Sequence, residues 1–394
     1  MKFDLAIVGA GVLGSFAALR ALHSGKKVLL LEAGERARGA TVRNFGQIIP
    51  SGMAPGTWRG LGLRSLEIYR SLEPKMDGAL WQQGSLYIAS SPEEATLLEE
   101  MQDINRDTGV ESELLTPAQC LARIPALQPG YCCGGLFYPR EMSAESGLLM
   151  PRLWQLLAAD PNLTLKPATA VAGVEESGDG ATVTTAVGER FSCRQVLVCC
   201  GHLLNRLFPQ HLQIDTVQIS KLQMLRTEPL KPVKIPGNLL TGLSIRRYDA
   251  FKSCPSYRSL PDSGLDPRYG ELGIHMLFRQ SADGSLIVGD SHEYFSAQGV
   301  DSLDYEIRQD INDLMLAEAQ RILALPQWKI TRAWNGFYSQ ENQRGVLLKS
   351  ISPAVHLATG IGGKGMSTGP ALMERAVDSL LAGRPLEECL EQIQ

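Results

Sequence analysis

The chain has 394 residues, 44% of them hydrophobic and 20% charged, with a formal net charge of −4; this is globular composition with enough chain for a large core or two domains. It holds no long basic run, against a nucleic-acid groove, and no apolar stretch of roughly eighteen residues, against a membrane span, though a peripheral membrane contact stays open. Eight scattered cysteines without a CxxC and six isolated histidines argue for reduced thiols in the cytoplasm and against a metal site.

Asp4 to Ala33 reads DLAIVGAGVLGSFAALRALHSGKKVLLLEA. Asp4–Val8 has the size of a buried strand, and Gly9-Ala10-Gly11-Val12-Leu13-Gly14 follows at once as GxGxxG. Ser15–His23 reads as a helix, Ser24-Gly25 ends it, and Lys27–Leu31 is a second strand closed by Glu32. Each part has a task. Gly9 makes a tight turn, Gly11 admits a pyrophosphate against the backbone, and Gly14 lets the helix pack on the strand. The helix N-terminus offers free N–H groups to phosphate, and Glu32 is placed to accept hydrogen bonds from a ribose. A lone GxGxxG is a weak signal; with both strands and the acid it reads as a dinucleotide site. Taken instead as a secretory signal, the stretch makes the glycine spacing and Glu32 accidents.

After Glu32 no further strand–helix unit begins. Ala33 to Gln47 is loop chemistry, rich in glycine and in small or polar residues. A nicotinamide dehydrogenase would continue with alternating units; an early loop suits a cofactor whose far ring is reached by extended backbone. A nicotinamide-binding or non-catalytic protein with the same βαβ unit remains the competing class.

At this loop the sequence resembles the D-amino-acid oxidase-like branch of FAD-dependent oxidoreductases, which includes glycine oxidase, sarcosine oxidase and D-amino-acid dehydrogenase. Ala40 to Ile48 is similar to the segment that passes under the flavin in that branch, especially at Asn44, Gly46, Gln47 and Ile48. The resemblance implies FAD contacts at Gly9, Gly11, Val12, Leu13, Gly14, Glu32 and Ala33, and along the loop at Thr41, Val42, Arg43, Asn44, Gly46 and Gln47.

Further along, Trp58–Tyr69 has a helical pattern, Trp81–Ala89 reads as extended, and Pro92–Thr108 is an acidic amphipathic helix. Pro117–Arg123 is a short helix and Ser146–Ala159 a longer one. Leu163–Val174, Ala181–Ala186 and Gln195–Cys200 read as strands. The resemblance places Val171 near the adenine, and Cys200-Gly201 at the end of a strand beside the cofactor. Cys199 and Cys200 are then small strand residues, not redox thiols. Ala282-Asp283-Gly284 between His275–Gln280 and Ser285–Gly289 is a hairpin signal. Tyr305–Leu325 reads as a long helix stopped before Pro326. Ile330–Gly336 reads as a strand followed by a bend.

His356–Thr359 leads into Gly360-Ile361-Gly362-Gly363-Lys364-Gly365-Met366, a second glycine-rich strand-to-helix turn, with the helix starting near Gly369. In the resembled branch this turn holds the pyrimidine end of the flavin, which implies contacts at Gly336, Gly360, Gly362, Gly363, Lys364, Gly365 and Met366. A helix N-terminus there stabilises negative charge on a reduced ring. Apart from the strand residues Cys199 and Cys200, no cysteine or histidine falls within the flavin-facing motifs except His202, so non-covalent FAD is expected.

The expected fold is α/β: a Rossmann-like FAD-binding domain with a glutathione-reductase-type βαβ unit, interleaved with a β-rich substrate (cap) domain. Residues 1–80, 141–213 and 328–394 belong to the first, 81–140 and 214–327 to the second. The implied reaction oxidises a C–N bond of a small amine or amino-acid-like substrate to an imine, with oxygen or a quinone or electron carrier as acceptor. Oxidation of a 2-hydroxy acid on the same fold is the alternative. Arg43, Tyr338 and Lys364 are the candidate helpers in catalysis; Arg43 reads equally well as an anion clamp or a structural tie. One departure bears on the substrate. Where the resembled enzymes place a carboxylate-gripping arginine after the Trp-x-Gly bend, Trp334-Asn335-Gly336-Phe337-Tyr338 has tyrosine. A hydroxyl lacks the charged planar fork of arginine. Ordinary D-amino acids and glycine are therefore expected to be poor substrates. Amines with an anion placed elsewhere, such as amino- or N-alkylaminophosphonates, fit better, and Arg43, Arg226, Arg246, Arg247 and Lys364 are the cations that would receive it.

Overall fold

Phe3–Val8 is apolar on both faces because it lies in the middle of a parallel sheet, with Val28–Leu31 on one side and Arg190–Val198 on the other. The computed structural model in which this is seen describes residues 2–261 and 264–391. Leu163–Lys166 extends the sheet beyond Val28–Leu31, and Val355–Thr359 runs parallel to Arg190–Val198. Antiparallel strands Val171–Ser177, Gly180–Thr185 and Leu347–Ser350 complete eight strands. The helices Val12–His23, Thr57–Leu72 and Gly365–Leu381 pack together in one hydrophobic cluster with the sheet.

A second sheet of nine strands draws on Ser85–Ala89, Glu113–Leu115, Gly134–Tyr138, Val217–Thr227, Asn238–Leu240, Leu277–Gln280, Leu286–Gly289, Glu293–Ser296 and Ile330–Glu341. A small sheet of Gln47–Ile48, Leu80–Gln82 and Met142–Ala144 lies at the crossings of the chain between the two. The helices starting at Pro92 and Pro117 begin where the sequence places them. Ser91 caps the first, and Thr116 with Gln119 makes a full capping box on the second. Among the described residues no helix is long and apolar enough to cross a membrane.

Four elements differ from the sequence reading. Leu163–Val174 is broken after Lys166 by Pro167; Ala168 and Thr169 then donate to the carbonyls of Gly34 and Glu32, and the next strand starts at Val171. The helix expected over Tyr305–Leu325 spans Gln309–Ile322, because Arg308 is held extended by Gln223 Oε1 on its N–H and by Glu293 on its guanidinium. The last long helix starts at Gly365 rather than near Gly369; the turn Gly362–Lys364 runs straight into it, and Pro370 removes only one backbone bond. Ile330–Gly336 does not bend but continues as one strand to Glu341, paired along Val217–Thr227 in the nine-stranded sheet. That strand thus lies in the second sheet although the sequence reading assigned 328–394 to the first domain.

Candidate active site

The first glycine turn is as tight as its spacing implies. Gly9 has φ +99, and a Cβ there would lie 2.4 Å from the carbonyl oxygen of Cys199; one at Gly14 would lie 1.8 Å from that of Gly9. No side chain caps the helix that begins at Val12. The Val12 N–H donates to Thr41 Oγ1 (3.0 Å), which ties the following loop to the helix start. Glu32 accepts from the Ala10 N–H (2.9 Å) and the Gly34 N–H (3.1 Å). A carboxylate has about four lone-pair sites, so this leaves Glu32 acceptor capacity for a ribose.

Asn44 folds the loop on itself: its amide donates to the carbonyls of Ala40 and Thr41, and its Oδ1 accepts from the Gly46 N–H. Opposite, the second glycine turn uses positive φ at Gly360 (+70) and Gly362 (+64). Ser339 Oγ and Thr359 Oγ1 both donate to the Gly201 carbonyl, and the Gly360 N–H donates to Ser339 Oγ. Strand ends from three parts of the chain are thereby locked around one point.

A continuous cavity of about 510 Å3 runs between these turns, within the range of small-molecule sites. Gly9, Gly11, Val12, Leu13, Gly14, Glu32 and Ala33 line it together with Val171. Thr41, Arg43, Asn44 and Gln47 line the middle with Cys200, Gly201 and Gly336. Tyr338, Gly360, Gly362, Gly363, Lys364, Gly365 and Met366 line it as well, Gly365 adjoining Val12. Two sequence candidates do not reach it. Val42 packs into the hydrophobic core beneath the loop. Gly46, at φ +77, turns against the Ala144 carbonyl, 1.9 Å from where a Cβ would stand. The backbone cradle, the uncapped helix start and the acid at the second strand suit an extended dinucleotide such as FAD.

Burial pushes the thiols of Cys199 and Cys200 up, the latter to about 11; both stay protonated at neutral pH. His202 lines the cavity stacked on Phe337, and burial holds its imidazole down, to about 4.

The cations separate clearly. Arg43 donates to the carbonyl oxygens of Arg38 (2.8 Å) and Asn335 (3.0 Å). Arg226 is taken by Ser285 and Asp283, and Arg246 by Glu94 and the Pro261 carbonyl. Lys364 is half-buried, with its ammonium 4.8 Å from the centroid of a Trp58 ring, and its partial burial lowers its pKa. Arg247 makes one hydrogen bond among the described residues, to the Tyr294 hydroxyl (2.6 Å), and lines the cavity.

Around Arg247 lies a group that the sequence reading did not assemble. His275 Nδ1 is 3.3 Å from Asp290 Oδ1, and His292 Nε2 is 3.8 Å from Asp290 Oδ2. All three residues are buried and line the cavity with Tyr248 and Tyr338. The sequence signal was present: Asp290 and His292 follow the apolar strand Leu286–Gly289, where two buried polar residues are unexpected. His275, Asp290 and His292 offer donor atoms within 4.8 Å of one another; the neighbouring Arg247 cation disfavours a metal ion among them.

Comparisons with known proteins agree with this geometry. The model of the family described as FAD dependent oxidoreductase (DAO) matches residues 4–378. Compared by sequence with curated proteins, the chain matches none. Among solved structures it is similar to L-proline dehydrogenase from P. horikoshii, at 18% identity and TM-score 0.80 over 97% of this chain and 94% of that one. It is also similar to glycine oxidase from Geobacillus kaustophilus, at 18% identity and TM-score 0.76 over 97% and 95%. Iminodiacetate oxidase from Chelativorans sp. BNC1 is similar at 17% identity and TM-score 0.75 over 99% and 98%.

Proposed function

Because the chain belongs to the family of FAD-dependent oxidoreductases, we propose that it oxidises the C–N bond of a small amine that also carries an anionic group, giving an imine that hydrolyses. The observation that carries this reading is the pairing of charges at one end of the cavity. Among the described residues Arg247 has a single hydrogen bond, to a hydroxyl, and Asp290 is a buried carboxyl beside it. A cation and an acid in one pocket suit a ligand with the opposite pair of charges. Glycine, proline and iminodiacetate, the compounds in the names of the similar structures, are amines bearing carboxylates.

Bound FAD supplies the acceptor for the hydride equivalent. The chain supplies position. Thr41, Asn44 and the hydroxyls of Ser339 and Thr359 hold the walls of the cofactor cradle. Arg247, with Tyr294 fixing one nitrogen, keeps other N–H groups to hold an anion. Tyr338 stands where the family resemblance puts a carboxylate-gripping arginine, so the anion is held from the other wall. A phosphonate, with three oxygens, matches a guanidinium flanked by Tyr248 and Tyr294 hydroxyls as well as a displaced carboxylate does.

The test is anaerobic reduction of the bound flavin. Glycine, D-alanine, sarcosine, 2-aminoethylphosphonate, its N-methyl form and lactate are the panel. Fast bleaching by an aminophosphonate with slow bleaching by D-alanine and glycine is the expected result. Fast bleaching by lactate alone overturns amine oxidation. Fast bleaching by D-alanine overturns the displaced anion.

A further inference from the structure

The cavity is lined by three carboxyl groups, and they differ. Glu32 lies at the dinucleotide end and binds backbone N–H groups, while Asp249 is exposed and pairs with Lys252. Asp290 is buried, and among the described residues its Oδ1 has no hydrogen-bond partner, although His275 Nδ1 lies 3.3 Å away. A buried acceptor without a donor is costly unless a ligand provides one.

The surroundings also say what the carboxyl can hold. His292 Nδ1 lies 3.1 Å from the Gly273 carbonyl, which only accepts, so Nδ1 carries the imidazole proton. His292 Nε2 is then a bare lone pair, 3.8 Å from Asp290 Oδ2. Two acceptors face one another, and a proton placed on Asp290 satisfies both after a sub-ångström shift.

We propose that Asp290 takes the proton that the substrate's ammonium group sheds before its C–H bond is oxidised; the inference rests on the amine reading above. An ammonium nitrogen has no lone pair with which to stabilise the carbon as its hydride leaves. In the proposed step an N–H bond breaks, its electron pair stays on nitrogen, and an O–H bond forms on the Asp290 carboxylate. Ammonium and carboxylate become amine and acid, and no oxidant is consumed. With Oδ1 facing the substrate's remaining N–H groups, the proton rests on Oδ2, where the new O–H is directed at His292 Nε2. An alkyl amine titrates near pH 10, so without an acceptor only about one molecule in a thousand is neutral at pH 7.

The charged and titratable groups that face the carboxyl are Arg247, Tyr248, His275, His292, Tyr294 and Tyr338. Burial pushes Asp290 up to about 7, with Arg247 opposing, and holds both imidazoles uncharged, His292 down to about 3. The imidazoles are therefore poor proton acceptors, and Asp290 is poised for exchange near neutrality.

The experiment follows anaerobic flavin reduction by 2-aminoethylphosphonate, its N-methyl form and sarcosine against pH, in the wild-type holoenzyme and in Asp290→Asn. If Asp290 is the acceptor, the rising limb of the wild type lies near neutrality and at the same pH for amines of different basicity. In the variant the limb moves up by two or more pH units to the amine's own value, with a loss of about a hundredfold at pH 7. A uniform loss at every pH means a merely structural role and overturns the proposal, as does a wild-type limb that tracks the basicity of each amine. This second readout needs no variant, so it decides even if Asp290→Asn fails to bind flavin. If no amine in the panel reduces the wild-type flavin, the amine reading falls, and the proposal with it.

Discussion

Arg43 donates to the carbonyl oxygen of Asn335 at 3.0 Å, and the indole N–H of Trp334 donates back to the carbonyl of Arg43 at 3.1 Å. The loop of small residues is thereby fastened to the strand Ile330–Glu341 by two bonds in opposite directions. With two of its nitrogens on backbone carbonyls, Arg43 is expected to act as a tie rather than an anion clamp. Arg43→Met is expected to cost on the order of 1–3 kcal/mol in stability and to weaken flavin retention. The apparent substrate constant should stay within about twofold. Thermal unfolding of the holoenzyme and steady-state kinetics measure the two effects.

The opposite split is expected at Arg247. Arg247→Met should raise the apparent substrate constant more than tenfold, about 1.4 kcal/mol, with flavin content unchanged. Arg247→Lys should recover part of the loss, since an ammonium keeps the charge but not the fork. An unchanged constant in Arg247→Met would place the anion elsewhere.

A Cβ at Gly11 would meet one protein atom closely, Thr41 Oγ1 at 3.2 Å, which must give by a few tenths of an ångström, and Gly11 lines the cavity. Gly11→Leu is expected to fold and to lose the visible flavin absorption after gel filtration, because the larger side chain fills the space of the pyrophosphate. Full retention of flavin would move the phosphates away from this turn.

Glu141 gives a pH prediction independent of catalysis. It is buried, accepts from the Ser51 N–H at 2.7 Å, and burial pushes its carboxyl up to about 7 from 4.5. The folded state thus holds its proton more tightly than the unfolded chain. Its contribution to stability is complete below about pH 4.5 and is lost as pH rises through about 7. Glu141→Gln should flatten this decline and gain on the order of 2 kcal/mol relative to wild type at pH 8 compared with pH 5. Thermal unfolding at the two pH values measures it; parallel shifts would show that Glu141 does not titrate in this window.

The cofactor cradle was legible in the sequence because it is made by local chemistry. Gly9, Gly14 and Gly362 are dictated by backbone geometry within a few residues, and Glu32 follows its strand at fixed spacing. Val42 and Gly46 lie off the cavity lining because alternation in a short irregular loop does not say which side faces a cavity; only packing against Ala144 and the core decides it. The assembly of the pocket of charges was not legible, although Arg247 and Tyr338 stood out singly, and the reason is different. Arg247, His275, Asp290 and Tyr338 come from four separated segments whose meeting depends on pairing Val217–Thr227 with both Leu286–Gly289 and Ile330–Glu341. The bend expected at Gly336 failed likewise: eleven register partners along Val217–Thr227 override the local preference of glycine.

The strand Val355–Thr359 pairs with Arg190–Val198, which pairs with Phe3–Val8, and the cavity begun at Gly9 is closed only by Gly360 to Met366. A ribosome makes these pieces in the reverse of the order in which a holding site would need them. The phosphate-binding turn emerges first and waits for most of the chain before its far wall exists. Loading of flavin is therefore an event of the finished polypeptide, not of the growing one. Until FAD binds, the finished chain keeps Leu13 only half-covered at the turn, so FAD, by binding the folded state alone, adds to the stability of the chain as well as giving it an acceptor.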